Sequence, residues 1–167
     1  RRSSDLLNDC MGKTLYAWDF NESREGGLVI GEQRVFRTEY DLLHRPIAQW
    51  MRINANPARQ IERMEYGESL PDKTQAQARN LRGVMLRHYD AAGLVENKRF
   101  DFKGNPLEMR RQLAADYKTA IVDWTVADLH PETFTQLTEY DALNRMTRLY
   151  NWHRGLGTLV SVYEPTY

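Results

Sequence analysis

The sequence predicts an all-β fold, an antiparallel ribbon of β-hairpins, and two observations carry that prediction. First, a short turn sequence recurs five times, each copy an Asp followed three residues later by Gly, His or Asn. Second, β-branched and aromatic residues alternate with polar residues between the copies, as in half-buried strands. The Asp and the fourth residue of each copy are Asp9 and Gly12, Asp41 and His44, Asp90 and Gly93, Asp101 and Gly104, and Asp141 and Asn144.

The residue types of this repeated turn explain its chemistry. An Asp carboxylate accepts a backbone N–H two residues further on and so closes a tight turn. Gly, Asn and His enter the left-handed backbone region at low cost, which the exit of a four- or five-residue hairpin loop requires. An aromatic residue precedes the Asp in four copies, and these residues are Tyr40, Tyr89, Phe100 and Tyr140.

The flanking segments read as strands on both sides of the turns. Residues 34–40 place Phe36, Thr38 and Tyr40 on one face, because side chains alternate along a strand. Residues 94–100 connect two turns that lie 11 residues apart, so one strand is shared by successive hairpins. The elementary unit is therefore a strand and a turn.

Successive Asp turns are separated by more residues than one strand requires in three places. This spacing predicts irregular insertions at 21–31, 54–80 and 114–131. Met109, Leu113 and Tyr117 have helical spacing, which favours one short helix near 112–118. The alternative is that 106–112 forms the return strand of a hairpin, and we expect strand first and a helical turn after it. The chain opens without Met and stops within a repeat pattern, so we expect 1–167 to be one partial repeat region, cut at both ends.

Composition excludes several classes of protein. Lys and Arg number 23 and Asp and Glu number 23, so the chain lacks the basic excess of a nucleic-acid or anionic-membrane binder. No apolar run approaches the length of a bilayer span, so we expect no membrane insertion by this segment. The single cysteine, Cys10, excludes an internal disulfide and a cysteine-based zinc site.

No residue set predicts catalysis or a cofactor. The run Met11-Gly12-Lys13-Thr14 resembles part of a phosphate loop, but Leu7 stands where the first Gly is required. The four histidines lack metal-ligand spacing, and Cys10 has no identifiable His partner. The repeated Asp residues occur one per turn, which favours turn closure over paired-carboxylate chemistry. We therefore expect no catalytic residues, no metal and no cofactor.

Aromatic residues offer an alternative function. Rows of exposed rings can stack on sugars, so a carbohydrate-binding or adhesion module with a glycan partner is the second hypothesis. At strand spacing, aromatic residues more often stiffen a sheet through cross-strand pairs. The residues in question are nine tyrosines and the four tryptophans Trp18, Trp50, Trp124 and Trp152.

The turns also resemble a known repeat. The runs Tyr40-Asp41-Leu42-Leu43-His44-Arg45 and Tyr140-Asp141-Ala142-Leu143-Asn144-Arg145 are similar to the YD repeat of the Rhs family. The run from Phe100 to Lys118 resembles the Rhs-repeat segment of insecticidal toxin-complex proteins more specifically. His44 and Asn144 in place of Gly depart from the repeat but keep its turn chemistry.

The resemblance implies a function that the residues alone do not. In this family the repeats coil a β-ribbon into a hollow shell that encloses a toxic C-terminal polypeptide. It implies a secreted, non-enzymatic shell-wall segment, whose partners are the rest of the shell, the enclosed toxin and other toxin-complex subunits. Nothing in the sequence matches a self-cleavage motif or a toxin domain, so neither activity is expected here.

Overall fold

Over the residues that the structure describes, the chain forms one open antiparallel sheet of eleven strands, whose order in the sheet is their order in the sequence. The computed structural model describes residues 5–25, 28–154 and 159–167. The predicted all-β ribbon is confirmed. The strands are β1 (Asp5–Asn8), β2 (Thr14–Glu25), β3 (Leu28–Tyr40), β4 (Pro46–Ile53), β5 (Arg59–Tyr66), β6 (Met85–Asp90), β7 (Gly93–Phe100), β8 (Pro106–Ala114), β9 (Leu129–Tyr140), β10 (Met146–Tyr150) and β11 (Ser161–Tyr163).

The chain divides into two compact units. The first, Arg1–Arg63 with Ile121–Val126, holds β1 to β4 and the start of β5. In it the segment 121–126 is bonded to β5, because Trp124 donates its backbone N–H to the Gln60 carbonyl at 2.8 Å and Asp123 accepts the Gln60 N–H. Trp124 is only 5% exposed, so this segment contributes a buried aromatic side chain to the unit.

The second unit, Met64–Ala120 with Ala127–Tyr167, holds the end of β5 and strands β6 to β11. Its core cluster is Ala76, Leu81 and Leu86, with Leu70, Val84 and Phe100 packed against it. Ala76 lies on the short helix α1 (Lys73–Ala78), whose first turn is capped by the Asp72 carboxylate. A 3-10 turn, Gly67–Ser69, precedes the helix.

The predicted helix near 112–118 was wrong. Residues 112–114 belong to β8, where Leu113 pairs with Gly93 and Gln112 pairs with both Leu94 and Thr133. The spacing of Met109 and Leu113 fits a strand face as well as a helix face, and pairing with strands on both sides decides between them. The alternative, a return strand at 106–112, is confirmed. Among the described residues, the α-helix lies at Lys73–Ala78 instead.

The three expected insertions differ in structure. The prediction of irregular chain at 21–31 was wrong for residues 21–25 and 28–31. These residues pair with each other across β2 and β3, so the hairpin extends to Glu25 and Leu28. The segment 54–80 contains β5, the 3-10 turn and α1. The segment 114–131 is irregular between the end of β8 and the start of β9.

Candidate functional site: the aspartate turns

Four of the repeated turns share one hydrogen-bonding scheme. At Asp41 the backbone N–H donates to the Arg45 carbonyl, and the His44 N–H donates to the Asp41 carbonyl, both at 2.9 Å. The carboxylate Oδ1 accepts the Leu43 and Arg45 N–H groups, also at 2.9 Å. The same four bonds recur in the turns of Asp9, Asp101 and Asp141, at 2.8 to 3.2 Å.

The fourth residue of each of these turns has a left-handed backbone. Its φ is 78° at Gly12, 57° at His44, 90° at Gly104 and 63° at Asn144. His and Asn enter this region more readily than most residues with a side chain. The four turns therefore tolerate three residue types at one backbone conformation.

The fifth residue of the turn takes part as well, and the sequence analysis missed it. Arg45 and Arg145 each donate Nε to the second oxygen of their Asp at 2.8 Å, and Asn105 donates Nδ2 to Asp101 at the same distance. The recurrence of Lys, Arg, Asn and Arg at this position was the available signal. In the Asp41, Asp101 and Asp141 turns the carboxylate thus closes the turn with one oxygen and binds the exit residue with the other.

These bonds favour the charged carboxylate. The pKa of Asp41 and of Asp141 is lowered, first by the backbone N–H of the fifth residue and then by its guanidinium. The pKa of Asp101 is lowered mainly by the Asn105 side chain, and that of Asp9 mainly by the Lys13 backbone N–H. In all four turns the hydrogen bonds therefore stabilise the ionised form of the Asp side chain over the neutral form.

We expect the stabilising effect of these carboxylates to be lost in acid. Because the pKa is lower in the folded chain, the contribution is complete above the unfolded Asp pKa of about 4 and disappears as the pH falls through the folded value. Asp41→Asn should therefore lower the free energy of unfolding at about pH 6 and have a much smaller effect near pH 2. Urea unfolding of both proteins across this range measures the difference, and a gap that stays constant would contradict the assignment.

The fifth predicted turn, at Asp90, is built differently. Asp90 and Gly93 pair directly across β6 and β7, so the loop is the two residues Ala91 and Ala92. Oδ1 accepts the N–H groups of Ala92 and Gly93, at 2.8 and 2.9 Å, and both carboxylate oxygens bind Arg111. Partial burial raises the Asp90 pKa, but the Arg111 guanidinium and the two N–H groups outweigh it and leave the pKa lowered. The expected four- or five-residue loop was wrong here, because β6 and β7 pair up to the Asp itself.

The aromatic residues before the Asp have different surroundings. Tyr40 donates its hydroxyl to the Thr14 carbonyl at 2.8 Å, just beyond the Asp9 turn. Burial raises the pKa of Tyr140, and the charge of Asp101 raises it further. Tyr89 is 9% exposed, and Phe100 packs against the core cluster beside α1. Tyr40 therefore connects two turns, whereas Phe100 belongs to the core.

The structure brings neighbouring turns together in pairs. In the first unit, His44 Nδ1 lies 3.8 Å from the Asp9 carboxylate. In the second, Asn105 donates to the Asn144 side chain at 3.1 Å. The Asp101 and Asp141 turns lie at one end of that unit's strands and the Asp90 turn lies at the opposite end, because successive antiparallel strands reverse direction.

The described part of the chain does not assemble these residues into a metal site. No group of three His, Cys, Asp or Glu side chains among the described residues is placed to hold a metal ion. The turn carboxylates are instead engaged by their own backbones, as described above. The arrangement therefore closes and aligns hairpins.

The tryptophans occupy unlike environments. Trp50 has the Arg37 guanidinium 5.5 Å from its ring centroid, and Trp18 stacks on Tyr16 at 5.8 Å. Trp124 is buried, whereas Trp152 is 40% exposed. The described residues contain no helix that is long and apolar enough to cross a membrane. Glycan binding stays a prediction.

Fold and turn chemistry together define a class of protein, an antiparallel ribbon whose hairpins are closed by Asp turns. The chain is 30% identical over 150 residues to the toxin subunit YenC2 of Yersinia entomophaga. The resemblance predicted from the Tyr-Asp turns is thereby confirmed. No family model matches the chain.

Solved structures share the fold. A crystal structure of TcdB2-TccC3 matches 87% of the chain with a TM-score of 0.71 at 20% identity. The Tc holotoxin pore of Photorhabdus luminescens, carrying a TccC3 mutation, matches 88% with a TM-score of 0.59 at 18% identity.

The chain corresponds to a small part of these proteins. The match to YenC2 covers 82% of this chain but 15% of that subunit. The structural matches cover 7% and 8% of the longer chains.

Proposed function

We propose that this chain is a non-catalytic wall segment of a secreted Rhs/YD-repeat toxin protein, whose shell encloses a toxic C-terminal polypeptide. The observation that carries the proposal is the strand order, eleven antiparallel strands paired strictly in sequence. Such a ribbon is extended by adding hairpins, because each strand needs only its two neighbours for backbone pairing.

The closed turns support the same role. Four Asp turns use one hydrogen-bonding scheme although their sequences differ, so the hairpins of the ribbon end in turns of the same geometry. The carboxylates of Asp41, Asp101 and Asp141 each accept a backbone N–H of their own turn, which is a structural role. We infer that residues 1–167 act as one continuous stretch of repeat, with the rest of the shell, the enclosed polypeptide and other toxin-complex subunits as partners.

The first test reads the coding sequence on both sides of this segment. Further Tyr-Asp repeats followed by a divergent C-terminal region are expected. The protein encoded by that longer sequence should then protect its C-terminal region from trypsin under native conditions. A C-terminal region that is digested as fast in the native protein as in urea would contradict enclosure.

A variant of this segment makes the test specific to it. Gly93→Val introduces a side chain where β7 and β8 leave no room, so it should open the wall and increase the rate at which the enclosed region is cleaved. Glu32→Gln, at an exposed position on β3, is the matched control and should leave the cleavage rate unchanged. Equal protection in all three proteins would show that this segment does not limit access to the interior.

A further inference from the structure

One face of β2, β3 and β4 in the first unit carries aromatic rings beside guanidinium groups. Because side chains alternate along a strand, the paired residues on this face form two neighbouring rows across the three strands. The rows are Tyr16, Arg37 and Trp50, and Trp18, Val35 and Arg52. Tyr, Trp and Arg are the residue types that contribute most often to the energy of protein–protein contacts. The Asp turns use none of these side chains.

A groove of about 270 Å³ lies on this face, and we call it the Trp50 groove. Its lining residues are Tyr16, Val35, Arg37, Trp50, Arg52 and Ala58. Among the described residues, no carboxylate lines it. The groove therefore combines apolar walls with two cations and has no anion of its own.

The donors of the groove exceed what the described chain satisfies. The Arg52 side chain is exposed and has no ion-pair partner in the described ranges. Arg37 binds Glu39 at 2.5 Å, but a guanidinium has several N–H donors and one carboxylate leaves some of them unused. The indole N–H of Trp50 is buried and lacks an acceptor among the residues described. An acceptor from outside this chain is therefore expected in the groove.

The kind of donor selects the kind of ligand. Apart from the Tyr16 hydroxyl, the polar side-chain groups that line the groove donate and do not accept. A sugar or a nucleobase brings O–H or N–H groups that also need acceptors, which these side chains do not supply. An ionised Asp or Glu only accepts, and a guanidinium can bind it with two parallel hydrogen bonds. The groove chemistry therefore fits an acidic polypeptide better than a glycan or a nucleic acid.

The two arginines have the spacing of alternate residues in an extended chain. Arg37 pairs with Trp50, so Arg52 is its diagonal neighbour on β4, at roughly 7 to 8 Å. Side chains two residues apart on an extended chain are separated by about 6.6 Å. Strands β3 and β4 are each paired on both sides, so an incoming chain binds through its side chains and not as an added strand.

We propose that the Trp50 groove binds an acidic segment of a partner protein, extended and with Asp or Glu at alternate positions. One carboxylate binds Arg52 and the next binds Arg37, while the side chains between and beside them pack on Val35 and the Trp50 ring. This inference goes beyond the wall role proposed above and does not depend on the enclosure of a toxin.

Photocrosslinking in the longer protein that contains this segment tests the site. Ala58, an exposed residue of the groove, is replaced with p-benzoylphenylalanine, and the native protein is irradiated with a fluorescent peptide of alternating Glu and Ser. The peptide should be crosslinked. Adding Arg52→Glu should lower the yield by about tenfold, the loss expected when a charge-assisted hydrogen bond is removed.

Matched variants separate this contact from general attraction between charges. Arg34→Glu makes the same change on the opposite face of β3, where Arg34 pairs with Ile53, and should leave the yield unchanged. Arg52→Lys keeps the charge but not the planar fork of donors, so its yield should lie between those of wild type and Arg52→Glu. An unchanged pattern of native tryptic digestion confirms that each variant is folded.

Four results would each overturn the proposal. They are no crosslinked peptide, capture of a segment of the longer protein itself in place of the peptide, equal capture of labelled hyaluronate, which carries its carboxylates on sugar rings, and an equal loss of yield in Arg34→Glu and Arg52→Glu. Capture of the peptide that depends on Arg52 and not on Arg34 would support the proposal.

Discussion

Replacing Gly93 with valine should lower the free energy of unfolding by about 3 kcal/mol or more, one of the largest effects expected of a single substitution in this chain. The backbone of Gly93 has φ of 141°, which residues with a side chain rarely adopt. A Cβ placed there would lie 2.1 Å from the Gln112 carbonyl oxygen and 2.8 Å from the Ala114 nitrogen. These are backbone atoms of β8, so the ladder itself has to move.

Gly104→Val is the matched substitution in another turn. Gly104 also has a positive φ, 90°, but a Cβ there meets nothing within 4 Å. Its cost should therefore be the conformational strain alone, about 1 to 2 kcal/mol. Gly104→Asn should cost less still, since Asn144 occupies the same position with φ of 63°. Urea unfolding of the three variants measures the series, and an equal loss for both valines would mean that crowding by β8 is unimportant.

The sequence was sufficient to predict the class of fold because its signals are local. Alternating residues define a strand, and an Asp with a Gly, His or Asn three positions later defines a turn, whatever the rest of the chain does. An antiparallel ribbon is built from such local pairs. The chemistry of the candidate site was accessible for the same reason, since each Asp binds backbone groups within four residues of itself.

The errors arose where pairing with a distant strand decides the structure. The Asp90 turn has the same sequence pattern as the others, yet it is a two-residue loop whose Asp binds Arg111, 21 positions away. The spacing of Met109 and Leu113 is compatible with a helix or a strand, and β7 and β9 select the strand. No local pattern contains either partner, so the residues alone left the strand and the helix as alternatives and gave no sign of the Asp90–Arg111 contact.

The burial of a charged residue, Glu96, could not be predicted from sequence patterns either. Glu96 on β7 is 6% exposed, although charged residues are rarely buried without partners. Its register neighbours are Arg87 on β6 and Arg110 on β8, so one transverse row of the sheet reads Arg, Glu, Arg. Cross-strand pairs of opposite charge stabilise a sheet, and burial increases what is lost when one member is removed.

Glu96→Gln should therefore lower the free energy of unfolding by about 2 kcal/mol. The carboxylate lies 3.1 Å from Arg87, 3.3 Å from Lys98 and 3.9 Å from Arg110, and its side chain is 8% exposed. Glutamine keeps the shape but leaves these cations without their shared anion. The cations are themselves 25 to 38% exposed, so water offsets part of the cost and the value stays below that of a fully buried pair.

Glu32→Gln is the matched change at the surface. Glu32 pairs with Arg34 at 2.6 Å, a shorter contact than any made by Glu96, but both side chains are well exposed, at 50% and 39%. Exposed pairs contribute less than about 1 kcal/mol, so this variant should unfold close to the wild-type midpoint. If burial rather than distance sets the contribution of an ion pair in this sheet, Glu96→Gln shifts the urea midpoint several times further than Glu32→Gln. Equal shifts would mean that Glu96 is no better shielded from water in solution than Glu32, and that the row across β6, β7 and β8 does not hold these strands in register.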